Sequence, residues 1–286
     1  MPTTTKLKVK ALTGAIGAEI SGVDLRRELD SATVAAIRQA LLDHLVVFFR
    51  DQDITTEQQL AFAACFGKVG LPGFARPTEQ PSVTVFDTSS SKGYTNHWHA
   101  DDSWMQIPPF GAVLRAVALP ATGGDTCFAN MYTAFNALSP AMQAFLEGLT
   151  AVHSNIEITA MLTENFSDLQ IPPAKAVEHP VVWVHPETHR KLLYVNSSKT
   201  TKIVELDPPE SQMLLAYLFD HVKSPEFQCR FHWEPHSIAM WDNRAVQHYA
   251  VADYHEARVM HRVLIEGVDR PTGPRAAEHA QASVQS

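Results

Sequence analysis

Phe227-Gln228-Cys229-Arg230-Phe231-His232-Trp233, then Ile238-Ala239-Met240-Trp241, then Val259-Met260-His261-Arg262-Val263-Leu264-Ile265 is the stretch that decides the fold class. Each piece is short, rich in aromatic and branched residues, and bounded by Pro, Asp or Asn, which is the pattern of strands separated by turns. Outward from it, Pro180–Val184, Leu192–Asn196, Val113–Leu119, Val83–Phe86 and Val46–Phe49 read as further strands. Residues 7–25, apolar with glycines, suggest a short strand and turns. Helical patterns are interspersed. Ser31 opens one with Val34, Ile37, Leu41 and Leu45 on a single face. A second begins near Thr55 or Thr56, where Gln58 and Gln59 suit a capping box, and ends near Gly67. Ser139-Pro140 starts a third that Gly148 ends, and Asp207-Pro208-Pro209-Glu210 starts a fourth that buries Leu214, Leu215, Leu218, Phe219 and Val222. Short strands at regular spacing with helices inserted predict a mainly β protein of jelly-roll type.

The chain has 286 residues, of which 45% are hydrophobic and 19% charged, an ordinary globular composition. With no repeat and no linker-like tract, a single domain over 1–286 is expected, with a polar, Ala-rich tail disordered from about residue 270. A net charge of -8 argues against non-specific binding to nucleic acid or an anionic membrane, though not against a small anion in a locally positive pocket. The first ten residues lack the apolar core of a signal peptide, and no apolar run is long enough to span a bilayer. Cys65, Cys127 and Cys229 suit neither a disulfide framework nor a metal cluster, so reduced thiols in a cytoplasmic protein are expected.

Three clusters carry possible chemistry. In Asn96-His97-Trp98-His99-Ala100-Asp101-Asp102, an extended strand would project His97, His99 and Asp101 to one side, where an imidazole and a carboxylate can grip a cation. One more histidine would complete the two-histidine, one-carboxylate face of non-haem Fe(II) oxygenases. The bland alternative is a polar strand end. In Trp241-Asp242-Asn243-Arg244 and His248, a strand enters a turn that presents a histidine, or else an ordinary hairpin with a surface histidine. Arg258 and Arg262 share a strand face about 13 Å apart. If that face points inward, each arginine needs an anion; if outward, both are merely solvated. The opposite face, with Val259, His261, Val263 and Ile265, looks better suited to a core.

Taken as a set, Trp98-His99-Ala100-Asp101, Gly123-Gly124-Asp125-Thr126, Trp241-Asp242-Asn243-Arg244 with His248, and Arg258 with Arg262 resemble the taurine dioxygenase and dichlorophenoxyacetate dioxygenase family. The resemblance extends to Gly17–Asp24 and Pro225–Gln228, so it covers nearly the whole chain. It implies a double-stranded β-helix (jelly-roll, cupin-like) barrel and an Fe(II)- and 2-oxoglutarate-dependent dioxygenase. It places Fe(II) on His99, Asp101 and His248, and the distal carboxylate of 2-oxoglutarate on Thr126 and Arg258. On the substrate side it places Arg262, with Thr95, Asn96, Lys199 and Trp104 around it. O2 would oxidise 2-oxoglutarate to succinate and CO2 while a small anionic organic substrate is hydroxylated. By analogy a homo-oligomer, dimer or tetramer, is expected.

The fit with taurine enzymes is incomplete. The loop Lys68–Phe74 has neither the histidine nor the tyrosine expected there, Thr95 stands where an asparagine is expected, and Lys199 replaces a pocket phenylalanine. A cation in place of an aromatic wall implies a different anionic substrate, larger or more acidic than taurine. His97 reads as a substrate-side or packing residue, and His153, His179, His185, His189 and His232 as structural or surface residues. The alternatives are the same chemistry on an amino-acid-like acid in secondary metabolism, a non-catalytic jelly-roll binding protein, and a cupin-like enzyme using another metal without 2-oxoglutarate.

Overall fold

The computed structural model describes residues 7–71, 80–88, 95–165, 171–274 and 276–277. In chain order, β1 (Lys8–Ala11) and β2 (Ala18–Ser21) precede α1 (Ser31–His44), β3 (Val46–Phe49) and α2 (Thr56–Ala64). Then come β4 (Val83–Asp87), β5 (Gly111–Ala118), β6 (Thr126–Asn130), α3 (Met131–Asn136), α4 (Pro140–Leu146), β7 (Thr150–Ser154) and α5 (Ile156–Asn165). The remainder is β8 (Ala176–Pro180), β9 (Val182–Val184), β10 (Lys191–Leu193), β11 (Thr200–Ile203), α6 (Pro208–His221), β12 (Gln228–Phe231), β13 (Ile238–Asp242), β14 (Val246–Ala250) and β15 (Val259–Ile265). Among the described residues no helix is long and apolar enough to cross a membrane.

The protein is mainly β with inserted helices. A seven-stranded sheet runs β1-β2-β3-β13-β5-β15-β4, and a three-stranded sheet runs β12-β6-β14. Smaller sheets are β11-β7-β8 and β10-β9. β13 is buried along its whole length between β3 and β5, which is why its sequence is a continuous apolar run rather than an alternation. Both faces of the large sheet are covered. Phe48, Leu114, Trp241, Met260 and Leu264 face the small sheet and its Phe128, Phe231 and Val246. Phe48 bridges the two, stacked on Phe231 at 3.9 Å and edge-on to Phe128 at 5.6 Å. The alternate residues Val47, Phe49, Val113, Met240, Val263 and Ile265 pack under α1 and α2 through Ile37, Leu41 and Phe62. Each such buried aromatic or branched side chain contributes roughly 1.5–3 kcal/mol.

This two-sided covering settles the ambiguity of β15. Val263 and Ile265 do belong to a core, as their composition suggested, but so do Met260 and Leu264, on the face that carries Arg258 and Arg262. The two arginines therefore point between the sheets.

Local signals decide the helix starts. Thr55 and Gln58 form the reciprocal capping box, with Thr55 N donating to Gln58 Oε1 at 2.8 Å and Gln58 N to Thr55 Oγ1 at 3.3 Å. Asp30 caps α1, Ser139 caps α4, and Glu210 accepts from the Asp207 N–H at the start of α6. Several boundaries differ from the sequence reading. Pro180–Val184 divides into β8 and β9, because Val181 N leaves the ladder to bond Leu149 O. Asn196 lies outside β10 and Gly67 lies beyond the end of α2. β6, β7, β11 and β14 were not legible, being short and of mixed polarity. The Thr88–Gly93 loop and the Pro72–Phe74 segment fall mostly outside the described residues, as does most of the expected tail. Thr272 is described, and its carbonyl accepts from Val184 N at 2.9 Å.

A buried polar cluster links the β11-β7-β8 sheet to the segment just past Asp101. His153 meets Ser103 Oγ at 3.1 Å through Nδ1 and Thr200 Oγ1 at 3.4 Å through Nε2, and it stacks on Tyr194. Burial, assisted by the neighbouring His179, pulls its pKa down to about 3. The unfolded chain protonates this residue near pH 6.5 and the folded protein only near pH 3, so unfolding takes up a proton in between. Stability is expected to fall as pH drops through that window, by at most about 1.4 kcal/mol per unit for this group. Urea melts of wild type and His153→Gln across pH 3.5–7 check this. The variant should show a shallower acid slope, and equal slopes would contradict it.

Candidate active site

His248 sits on β14, opposite Phe128 of β6. His99 reaches it through an isolated bridge in which His99 N donates to His248 O at 3.1 Å and His248 N to His99 O at 2.8 Å. The paired backbones bring the two rings to 4.1 Å between centroids. Asp101 does not follow by strand alternation. The chain turns after the bridge, and Asn243 holds the turn: its Oδ1 accepts from Asp101 N at 2.8 Å and its Nδ2 donates to Asp101 O at 2.9 Å. His248 is likewise presented by a strand rather than by the turn before it. That turn is fixed by Asp242, whose carboxylate accepts from Arg244 and from His185 Nε2. The Asp-Asn-Arg segment thus clamps the site, whereas sequence reasoning saw in it only a turn.

His99, Asp101 and His248 offer ligand atoms that all lie within 4.8 Å of one another. Each side chain is buried, at 5%, 4% and 7% exposure. Nδ1 of His99 donates to the His97 carbonyl at 2.9 Å; since a carbonyl only accepts, the proton is on Nδ1 and Nε2 keeps its lone pair toward the cluster. Burial, with repulsion from His248, holds His99 well below its usual pKa. Burial and the nearby Arg262 bring His248 down to about 3. Both imidazoles are therefore neutral at physiological pH, as ligands must be. Oδ2 of Asp101 is buried without a hydrogen-bond partner, while Oδ1 takes a short contact from Arg262 Nη1. An orphaned carboxylate oxygen beside two neutral imidazoles fits a divalent cation, and the donor set is that of a non-haem iron centre.

A second set of buried polar groups lies where the chain enters β6, the strand that pairs with β14 and His248. Arg258 is 6% exposed; its Nε donates to Gly124 O at 3.0 Å, and Nη2 is buried with no partner. Burial lowers its pKa. Thr126, two residues past Gly124, accepts from Trp233 Nε1 at 3.0 Å, which leaves its own O–H free to donate. A buried guanidinium with an unpartnered Nη2, and a hydroxyl two residues from the carbonyl it binds, fit a carboxylate. Gly124 is required here. Its φ is +72° and a Cβ would come within 3.0 Å of Arg258 Cδ. Gly124→Ala is expected to cost about 1–3 kcal/mol in stability from the left-handed backbone. A denaturant melt that matches wild type would contradict this.

The substrate-side residues separate. Arg262 lies 4.9 Å over the Phe86 ring, and Lys199 is buried. Trp104 is buried behind Asp102, donating to its Oδ1 at 3.0 Å. Thr95 is half-buried, with its carbonyl accepting from Ala250 N, and Asn96 is exposed. His97 is packed against His99 at 5.0 Å, its pKa lowered to about 4 by burial and by Lys199. His153, His179 and His185 are buried and hydrogen-bonded away from the ligand cluster, and His232 pairs with Asp125 at the surface. Sequence reasoning missed Asn243, Ser103 and Asn196. Only their partners reveal them.

Two faced sheets enclosing a buried two-histidine, one-carboxylate cluster define a metal-dependent oxygenase of mainly β build. The model of the taurine catabolism dioxygenase TauD, TfdA family matches residues 8–264. An alkylsulfatase of Acinetobacter baylyi is 38% identical over 92% of this chain and 86% of its own. An alpha-ketoglutarate-dependent sulfate ester dioxygenase of Pseudomonas putida is 36% identical over 93% and 91%. The crystal structure of a taurine dioxygenase from Burkholderia xenovorans superposes with a TM-score of 0.82 at 40% identity, covering 94% of each chain. This chain belongs to the TauD, TfdA family, and it is a 2-oxoglutarate-dependent dioxygenase that uses Fe(II) and O2.

Proposed function

We propose that the enzyme hydroxylates a small anionic organic substrate, a sulfonate, alkyl sulfate or aryloxyalkanoate, with release of succinate and CO2. The observation that carries this reading is the buried cluster of His99, Asp101 and His248 flanked by two inward-pointing arginines. In this reading the cluster holds Fe(II), and Arg258 with Thr126 takes the distal carboxylate of 2-oxoglutarate. Arg262, Lys199, Thr95 and Asn96 face the substrate, with Trp104 acting through Asp102. The facing sheets are the two halves of a double-stranded β-helix, as the likeness to the B. xenovorans structure supports.

Bound iron, with O2 and 2-oxoglutarate, supplies the oxidising chemistry that turns a substrate C–H bond into C–OH. The protein's part is positioning. The bonds from Asn243 fix Asp101, the His97 carbonyl fixes the His99 tautomer, and the pairing of β14 with β6 fixes His248. Arg258 is already desolvated, so its bonds to a carboxylate form in a low-dielectric setting where they are strong. Where the hydroxylated carbon also bears a sulfonate, sulfate or aryloxy group, the C–OH product collapses to a carbonyl and expels sulfite, sulfate or phenol. Relatives named for sulfate esters and sulfonates support that substrate range.

An anaerobic titration of the Fe(II)-loaded protein with 2-oxoglutarate tests the reading. A keto acid chelating Fe(II) gives a weak visible charge-transfer band. Its absence from fully metallated protein would overturn the assignment.

A further inference from the structure

Lys199 is a buried lysine in no ion pair among the described residues. It is 5% exposed and makes no ion pair or side-chain hydrogen bond with the described residues. Asp102 and Asp101 lie near enough to favour its charge but not in ion-pair contact, and burial, the larger influence, lowers its pKa. Its place is built rather than incidental. Asn196 Oδ1 accepts from Lys199 N at 2.9 Å, while Asn196 Nδ2 donates to Ser103 Oγ at 3.0 Å. Ser103 lies two residues beyond Asp101, so one amide ties the lysine to the turn that carries the ligand carboxylate. The backbone N of Asn196 is itself tied to Thr200 Oγ1 at 2.9 Å.

Arg262, the other cation beside the cluster, differs in one respect: Asp101 already balances its charge. Its Nε is nevertheless buried with no partner, so it retains a donor for an anion. The two cations arrive from different elements, Arg262 from β15 and Lys199 from the segment before β11. A substrate with a single anionic group seated on Arg262 would leave Lys199 buried and unpaired, an arrangement costly in a low-dielectric interior.

We propose that Lys199 is a second anion receptor of the active site, and that the prime substrate is an organic acid carrying two anionic groups, one toward Arg262 and one toward Lys199. The proposal deepens the dioxygenase reading above and rests on it. It separates this enzyme from one acting on simple alkanesulfonates, for which a wall residue at 199 need only be apolar.

The test compares matched probes: alkane-1-sulfonates and ω-sulfoalkanoates with chains of three to six carbons. Binding is read by calorimetry on Fe(II)- and 2-oxoglutarate-loaded protein without O2, after the charge-transfer band has shown that the loaded state exists. Wild type should bind at least one ω-sulfoalkanoate about tenfold or more tighter than the sulfonate of equal length. Lys199→Met should abolish that preference, the ω-sulfoalkanoate and the alkanesulfonate of equal length then binding alike, and Lys199→Arg should keep part of it. No preference in wild type, or one that survives in Lys199→Met, overturns the proposal. So does failure of both probe series to bind protein that displays the band. The wild-type comparison needs no variant to fold. Absence of the band itself would instead strike the dioxygenase reading.

Discussion

Asp101→Ala is expected to abolish Fe(II)-dependent succinate formation and to weaken Fe(II) binding by more than about a hundredfold. Loss of a residue that merely orients a metal ligand costs about 10–100-fold, and a ligand itself should cost at least that much. Asp101 is the only anionic member of the cluster, so the variant leaves two neutral imidazoles to hold a divalent ion. The variant should also lose stability without metal. Arg262 pairs with Asp101, and removing one partner of a buried pair costs about 3–5 kcal/mol because the other charge remains uncompensated. The turn should survive, since Asn243 grips the backbone of residue 101 and not its side chain. Combining Asp101→Ala with Arg262→Met should therefore recover much of the stability and none of the metal binding. Chelator competition and denaturant melts measure the two quantities separately. Wild-type Fe(II) affinity in Asp101→Ala would remove this residue from the ligand set.

Arg258→Ala should raise the dissociation constant for 2-oxoglutarate by about a hundredfold or more, read as loss of the charge-transfer band at a ligand concentration that saturates wild type. Truncating one partner of a desolvated, hydrogen-bonded charge pair costs about 2–5 kcal/mol. The effect on folding should run the other way from that of Asp101→Ala. With no 2-oxoglutarate present, Arg258 is a buried cation whose Nη2 has no partner, held through Nε by Gly124 O and in contact with Tyr254. Removing it relieves a desolvation cost that offsets the lost contacts with Gly124 O and Tyr254, so the ligand-free variant is expected to lose no more than about 2 kcal/mol of stability, roughly 1 kcal/mol for each lost contact. A variant that binds 2-oxoglutarate normally, or that fails chiefly by unfolding, would contradict this account.

Much of the site was legible because its residues cluster along the chain. His99 and Asp101 lie two residues apart, and Arg258 lies just before β15, four residues from Arg262 within it. The reading that put Asp101 on the same strand face as His99 brought the right residues together for the wrong reason. A turn achieves the proximity, and its geometry depends on Asn243, which is remote in sequence. Periodicity likewise could not orient β15, since both of its faces are apolar enough to be buried. Only the presence of the small sheet on one side and α2 on the other shows that Arg258 and Arg262 point inward.

The sequence by itself determined the class of secondary structure and the capping of the helices at Thr55, Ser139 and Asp207, which follow from local physics: which backbone conformations a residue favours and which side chains cap an orphaned N–H. The candidates for holding a metal and two acids came from the resemblance of several motifs taken together. The tertiary structure alone decided that Lys199 is buried beside the site, that Asn196 and Ser103 tie it to the turn of Asp101, and that Arg262 is paired with Asp101 while Lys199 is in no ion pair among the described residues. Charge compensation and desolvation depend on what other segments bring near a group, and no local pattern along the chain records that.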